Sequence, residues 1–457
     1  MGKILRSNSI IRRYLELNGT IFLEHACSSF ERILPHTQVS NWKTKAGKEQ
    51  PRAKWTGNNR RSIHLTLSVD SKDVRHNISS ELARRKTPKG VGKISRTLDV
   101  REHMICQAIV KHLSSVPMQK ITDTNGFYLR SSRDDFDEQV VAQHLQEHHD
   151  LQLDVFEVFS SIHKLAEQTY ENKQLVFGCI LDPNKNLSNG ADTFPQKLLE
   201  RKRYRVLSDG FRSAYHVANN GALLGFVDLE KFEKNSVSLK HFYPEWAENI
   251  ARASRKGCCG ICLNRNGDIL VFDEANLRFT YRFGRWQYWN HNHIVDLLKN
   301  IMRVQRVPQT HIGKVAGAIY RVALDAAFRR TGALFVILHR EKNLREIVLK
   351  GDAINDKNRH EVDVAFDDAL PGKSILSLPR NVLVELSSLD GAIVLNSKGR
   401  LLAYGTVLNP KKKGKTATTE GSRTKAAIGA SNYGISVKVS SDGDISIFNK
   451  GKEFLRI

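Results

Sequence analysis

From residue 311 onward the chain changes period within about thirty residues, and that switch limits its fold more than any other feature. "HIGKVAGAIYRVALDAAFRR" sets Ile312, Val315, Ile319, Val322 and Ala326 on one face of a helix. Gly332 is placed to end that helix, and "ALFVIL" follows as a buried strand. A polar loop and "RNVLVELSS" lead on to "DGAIVL", "GRLLAYGTVL", "EGSRTKAAIGAS", "GISVKVS" and "DISIF". Alternation of strands and helices in this way predicts an α/β domain over residues 311–457.

A chain of 457 residues is too long for one ordinary core, so two or three domains are expected. Residues 150–305 read as an α+β region. Its strands are "QLVFGCILD", "GALLGFVDL", "GICLNRNGDILVF" and "LRFTYRFGRWQYW", with "NRNGD" as a hairpin turn, and "VQRVPQT" marks the break that follows. Residues 1–149 form a basic region of mixed helix and strand. "SIHLTLSVD" alternates like a strand and "VREHMICQAIVKHLSSV" is spaced like an amphipathic helix. "DDFDEQVVAQHLQEHHD" and "VFEVFSSIHKLAEQTYE" read as two helices, the first starting on its acidic residues.

The formal charge of +23 is the strongest compositional signal, and the first 105 residues carry about half of it. Stretches such as "NWKTKAGKEQPRAKWTGNNRR" and "ELARRKTPKGVGK" suit the neutralisation of phosphates, which makes nucleic acid a candidate partner. A solvated basic surface has the same composition. No apolar run is long enough to span a bilayer, so no membrane partner is expected. The first residues show neither the apolar core nor the cleavage site of a signal peptide. Cys27, Cys106, Cys179, Cys258, Cys259 and Cys262 are few and unevenly spaced, which argues against a disulfide framework and for the cytoplasm.

Three segments of the last domain read as parts of one site. Asp390-Gly391-Ala392 opens a strand, where the carboxylate can hold a divalent cation or polarise a hydroxyl and the glycine admits a ligand close to the backbone. Gly405-Thr406-Val407-Leu408 closes the next strand, where an apolar side chain and free backbone groups can receive a planar base. In "EGSRTKAAIGAS" two cations, Arg423 and Lys425, stand at the start of a helix, where the helix dipole disfavours them unless an anion lies above. Ser422 is placed to cap that helix, and the N–H groups beyond it suit a phosphate.

In this order the segments resemble the catalytic domain of diadenylate cyclases, including the DNA-integrity-scanning type. That family shows Asp-Gly-Ala, then a glycine-to-leucine strand end, then Gly-Thr-Arg-His-Arg-Ala-Ala, then a strand ending in Ser-Glu-Glu-Thr-Gly. The helix before "TGALFVIL" matches its opening, so the resemblance covers about 311–457. It implies a mixed sheet flanked by helices, two ATP bound by subunits meeting face to face in a homodimer or higher homo-oligomer, and Mg²⁺ or Mn²⁺. Each 3′-hydroxyl then attacks the other nucleotide's α-phosphate to give cyclic di-AMP and two pyrophosphates.

By position, the resemblance makes Asp390 the metal-binding and catalytic carboxylate and Arg423 its catalytic partner. Gly391 and Ala392 would lie against the ribose, Leu408 against adenine, and Ser422, Thr424, Lys425 and Ser440 would complete the nucleotide contacts. Thr424 replaces the family's histidine and Lys425 its second arginine, while Ser440-Ser441-Asp442 replaces Ser-Glu-Glu. Lysine keeps the charge but loses the bidentate fork. A cyclase controlled by its upstream sensor regions is therefore one reading, and a catalytically inactive, cyclase-like nucleotide sensor or adaptor is the other.

Other motifs point elsewhere. His144, Glu147 and His148 fit H-x-x-E-H, which needs a third ligand from another element; Glu157 and Glu167 lie on the next helix, and the polar segment reads as a solvated helix face. Cys259 and Cys262 have metal-knuckle spacing without a second pair, and so read as packing. Trp286, Tyr288 and Trp289, beside Arg285, His291 and His293, are either a core cluster or a base-stacking platform. "KKKGK" at 411–415 is a lysine loop that can add charge near the phosphates.

Overall fold

The computed structural model describes residues 32–34, 37–45, 62–69, 74–82, 99–115, 127–187, 194–195, 199–231, 241–303, 307–411 and 421–457. They fall into two units, Met1–Phe232 with Asn249–Trp289, and Glu233–Glu248 with Asn290–Ile457. Most of the basic N-terminal stretches and residues 412–415 of the lysine loop lie outside the described residues.

The first unit begins with a three-stranded antiparallel sheet of β1 (Thr37–Lys45), β2 (Ser62–Val69) and β3 (Val74–Leu82), with β3 in the centre. Helices α1 (Val100–Ser115), α2 (Phe127–His149) and α3 (Val155–Ala166) follow. The acidic residues expected to start α2 lie inside it, since the helix already begins at Phe127. At α3 the Asp154 carboxylate accepts from the N–H groups of Phe156 and Glu157 at 2.9 and 3.3 Å, which fixes that helix start.

Past a two-residue ladder of Thr169–Tyr170 with Lys173–Gln174 come β4 (Phe177–Asp182), β5 (Ser213–Ala218), β6 (Leu223–Asp228), β7 (Cys259–Leu263), β8 (Ile269–Asp273), β9 (Asn276–Arg282) and β10 (Arg285–Tyr288), which form a sheet of their own. They make one sheet in the order β10-β9-β8-β7-β4-β5-β6, with only the β4–β5 pair parallel. The "NRNGD" hairpin forms as expected. Asn264 Oδ1 accepts from the N–H groups of Asn266 and Asp268, both at 2.9 Å, and Gly267 takes φ +77°. Cys259 and Cys262 are buried free thiols on β7 whose pKa burial raises, so they pack and do not react.

The aromatic run is core rather than a stacking platform. Trp286, Tyr288 and Trp289 are each 1% exposed. Trp286 meets Phe159 of α3 at 4.5 Å between ring centroids, and Trp289 Nε1 donates to Thr280 Oγ1 at 2.9 Å.

The second unit opens with α4 (His291–Ile301), capped by the Asn290 side chain, and α5 (Gln309–Arg329). All five residues expected on one face of α5 are buried. The helix ends at Arg330, in the left-handed region at φ 56°, and not at Gly332. Then come β11 (Ala333–Leu338), α6 (Glu361–Ala369), α7 (Arg380–Ser388), β12 (Ala392–Asn396), β13 (Leu401–Thr406), α8 (Ser422–Ala430), β14 (Gly434–Val439), β15 (Ile445–Asn449) and β16 (Lys452–Arg456).

Their sheet runs β13-β12-β11-β14-β15-β16, with β11 and β12 parallel and every other neighbour antiparallel, a mixed sheet. Along β11 and β12, Leu334, Val336, Ala392 and Val394 share a core with Ala427, Ile428 and Ala430 of α8. Strand alternation therefore turns Phe335, Ile337, Ile393 and Leu395, all buried, to the other face. A buried anchor joins α5 to α7. Arg380 donates to both oxygens of Asp325 at 2.7 and 2.8 Å and to the Tyr243 carbonyl at 2.6 Å.

Candidate nucleotide site

Register brings the three segments to one end of this sheet. Phe335 lies opposite Ile393 in the parallel pair, so counting back three residues sets Gly332 and Asp390 level. Ala392 pairs with Thr406 and Ala333 with Val439, so the last residues of β13 and of β14 arrive at the same end. Helix α8 starts there as well, because it runs antiparallel to the strand that follows it: Lys438 of β14 donates to Thr424 Oγ1 at 2.9 Å.

Asp390 sits between the end of α7 and the start of β12, exposed, with no hydrogen bond or ion pair among the described residues. Gly391 takes φ +126°, and a Cβ on it would stand 2.6 Å from both the Gly405 carbonyl carbon and the Thr406 nitrogen. The close approach that requires glycine there is thus made by the backbone of β13. Ala392 is buried in the core beneath α8, and Leu408 is half-buried against the same core, while Val407 is exposed.

The helix start departs from expectation in one respect. Gly421, and not Ser422, is the N-cap, and no side chain caps the helix. Ser422 is the first helical residue and is exposed. With no capping oxygen in place, the first N–H groups of α8 are the donors an anion can use. Arg423 is half-buried, and its guanidinium fills the space beside Gly332, where a Cβ would come within 2.7 Å of Cζ. Lys425 is exposed. Neither cation has a carboxylate partner among the described residues. Ser440 closes the β14–β15 turn: its Oγ accepts from the Asp444 N–H at 3.0 Å and its carbonyl from the Gly443 N–H at 2.9 Å.

Three residues join this end that motif reading did not single out. Lys438 is half-buried between α8 and the sheet, and burial first, then Arg456, lowers its ammonium pKa. A lone lysine in the apolar run "GISVKVS" was the available signal. Gly332 makes room for Arg423. Asp352, on the loop before α6, accepts from Thr406 Oγ1 at 2.7 Å and brings a second carboxylate to the end of β13. That loop is fastened by Arg359, which pairs with Asp367 at 2.5 and 3.0 Å and donates to the Asp352 carbonyl at 2.8 Å; Tyr404 of β13 donates to Asp367 at 2.6 Å. No local pattern announces Asp352, because the contact joins residues far apart in sequence.

One end of a mixed sheet thus gathers glycine-lined backbone, two carboxylates, an open helix N-terminus and the cations Arg423, Lys425 and Lys438. Residues 373–453 match the model of the DAC family, described as DisA bacterial checkpoint controller nucleotide-binding. The matched span lies within the C-terminal unit. Every site residue named from the sequence, Asp390 through Ser440, falls inside the matched span.

Among solved structures, a double mutant of DacA from Staphylococcus aureus is 24% identical, covering 31% of this chain and 85% of its own, with a TM-score of 0.23. A hypothetical membrane spanning protein from Bacillus cereus is 19% identical, covering 36% and 72%, with a TM-score of 0.26. No curated protein matches the chain. Among the described residues no helix is long and apolar enough to cross a membrane.

Proposed function

We propose that the C-terminal domain condenses two ATP molecules into cyclic di-AMP and two pyrophosphates. The observation that carries this reading is the meeting of Asp390 with the open start of α8 and Arg423 at one end of the sheet. The triphosphate lies over the first N–H groups of α8, where Arg423 and Lys425 offset its charge instead of opposing the helix dipole unaided. Adenine rests against Leu408 and the ribose against the backbone at Gly391. Asp390 is an exposed hard-oxygen donor without a partner among the described residues, which suits Mg²⁺ or Mn²⁺ held by one or two carboxylates together with substrate phosphates. Such an ion neutralises phosphate charge when bound.

Two domains meet face to face. Each ribose 3′-oxygen forms a bond to the partner nucleotide's α-phosphorus as the bond to pyrophosphate breaks, and the Asp390 carboxylate accepts the hydroxyl proton. The chain contributes in-line positioning and charge neutralisation rather than a covalent nucleophile. Upstream regions would govern this activity in the cytoplasm, and the basic N-terminal region would hold nucleic acid.

The test is incubation of the full chain with ATP and Mg²⁺ or Mn²⁺, with and without DNA, and detection of cyclic di-AMP by mass spectrometry. Product is expected from the wild type and a loss of at least about 100-fold from Asp390→Asn. The second reading, nucleotide binding without turnover, is favoured by the Lys438–Thr424 hydrogen bond at the position where the family has histidine. ATP binding that Arg423→Ala weakens, with no product from the wild type, would establish it.

A further inference from the structure

The last turn of α2 is not the solvated face that its polar sequence suggests. His144 is 2% and His149 7% exposed, and His144 stacks on His148 at 5.8 Å between centroids. The cluster is not the His144–His148 pair of the motif: His149 takes the place of His144, and the third group comes from neither Glu157 nor Glu167 but from Asp273, the last residue of β8. Asp273 Oδ2 lies 3.5 Å from His148 Nε2, and Oδ1 lies 3.8 Å from His149 Nε2. One ligand atom from each residue falls within 4.8 Å of the others, the only such group of three among the described residues.

The protonation of His149 follows from its hydrogen bond. Nδ1 lies 2.8 Å from the Gly257 carbonyl oxygen, which has no proton to give, so Nδ1 carries the hydrogen and donates. In the neutral ring Nε2 is then a bare lone pair. It is buried, finds no hydrogen-bond partner, and faces a carboxylate oxygen. Two electron-rich atoms 3.8 Å apart leave room for a positive centre between them, and a proton on Nε2 would still leave the oxygen beyond hydrogen-bond reach. Fixing Nδ1 on a carbonyl so that Nε2 points outward is the arrangement that orients a histidine toward a metal.

We infer that His148, His149 and Asp273 form a binding site for one divalent transition-metal ion of the zinc class in the N-terminal unit. Tetrahedral coordination with bonds of about 2.1 Å separates ligand atoms by about 3.4 Å; Oδ2 stands 3.5 Å from His148 and Oδ1 3.8 Å from His149, so a bound ion would draw the three donors together from within 4.8 Å. Two imidazoles and one carboxylate favour zinc, cobalt or iron(II) over magnesium or calcium, which take oxygen ligands. Arg101 donates to Asp273 Oδ2 through Nη1 and to Glu274 through Nη2, which orients the carboxylate and leaves Oδ1, the oxygen facing His149, without that cation. The site is separate from the nucleotide site and does not rest on the cyclase reading.

The experiment is titration of the chelator-stripped full chain with Co²⁺, followed by its visible d–d absorption, and with Zn²⁺ in competition with a chromophoric chelator. The same titrations on Asp390→Asn exclude a signal from the C-terminal site. One Co²⁺ per chain with tetrahedral-type bands is expected, displaced by Zn²⁺ but not by excess Mg²⁺, with affinity reduced at least about 100-fold in His149→Gln and Asp273→Asn. His148→Gln, at a half-buried position, must lower affinity similarly and stands in if the buried variants fail to fold. Absence of the bands, or metal binding that survives His148→Gln unchanged, overturns the site and leaves Asp273 as the partner of Arg101 alone.

Discussion

Gly332 and Gly391 lie level at one end of the sheet, at the candidate site, yet one added methyl should act differently at each. At Gly391 a Cβ meets the backbone of Gly405 and Thr406, which cannot swing away, and φ is +126°. Gly391→Ala is therefore expected to cost about 1–3 kcal/mol of stability, read from a urea denaturation midpoint. At Gly332 the obstacle is the tip of Arg423, a flexible side chain. Gly332→Ala should leave stability within about 0.5 kcal/mol of wild type while displacing the guanidinium and weakening ATP binding several-fold. Equal losses of stability in the two variants would contradict this account. The contrast also explains what could be read from residues alone: "DGA" is visible as a motif, whereas Gly332 matters only because α8 returns to lie beside it.

Helices α5 and α7 are held together by an ion pair as well as by apolar packing. Asp325 is 1% exposed and accepts two of the three guanidinium hydrogen bonds of Arg380, together with the Glu245 N–H at 2.7 Å. Desolvation of Asp325 makes the pair weak evidence for net stability, but removing one partner leaves a charge buried alone. Arg380→Met is expected to lower unfolding stability by about 3 kcal/mol, and pairing it with Asp325→Leu should recover part of that loss. Denaturation of the two single variants and the double variant measures the coupling; additive losses would show that the pair contributes little. The apolar period announced α5 from sequence, but the pair spans 55 residues and has no local signature.

Each unit has its own buried core, and the residues of the candidate nucleotide site all belong to the second. Saturating ATP with Mg²⁺ should slow amide hydrogen exchange at residues 390–392, 405–408 and 421–425, where ligand covers open backbone groups. At a ligand concentration about 100 times Kd the bound state is stabilised by about 2.7 kcal/mol. Exchange measured by mass spectrometry should show no such protection in Arg423→Ala at the same ATP concentration. Protection confined to other residues would move the site.

Sequence by itself determined the local grammar of this protein. Periodicity established α5, β11 and the strand hairpins; the order of Asp390-Gly391-Ala392, Leu408 and Ser422-Arg423 pointed to the family whose model residues 373–453 match, because a motif of neighbouring residues is legible without the fold. Only tertiary structure decided which neighbours those motifs acquire. Helix α8 is capped by Gly421 rather than Ser422, α5 stops at Arg330 before Gly332, and the aromatic run is buried. The polar end of α2 lost its solvent because β8 brought Asp273 to His148 and His149 across more than a hundred residues. Burial depends on what the rest of the chain places above a side chain, and so a polar pattern that reads as surface became an interior cluster of two imidazoles and a carboxylate.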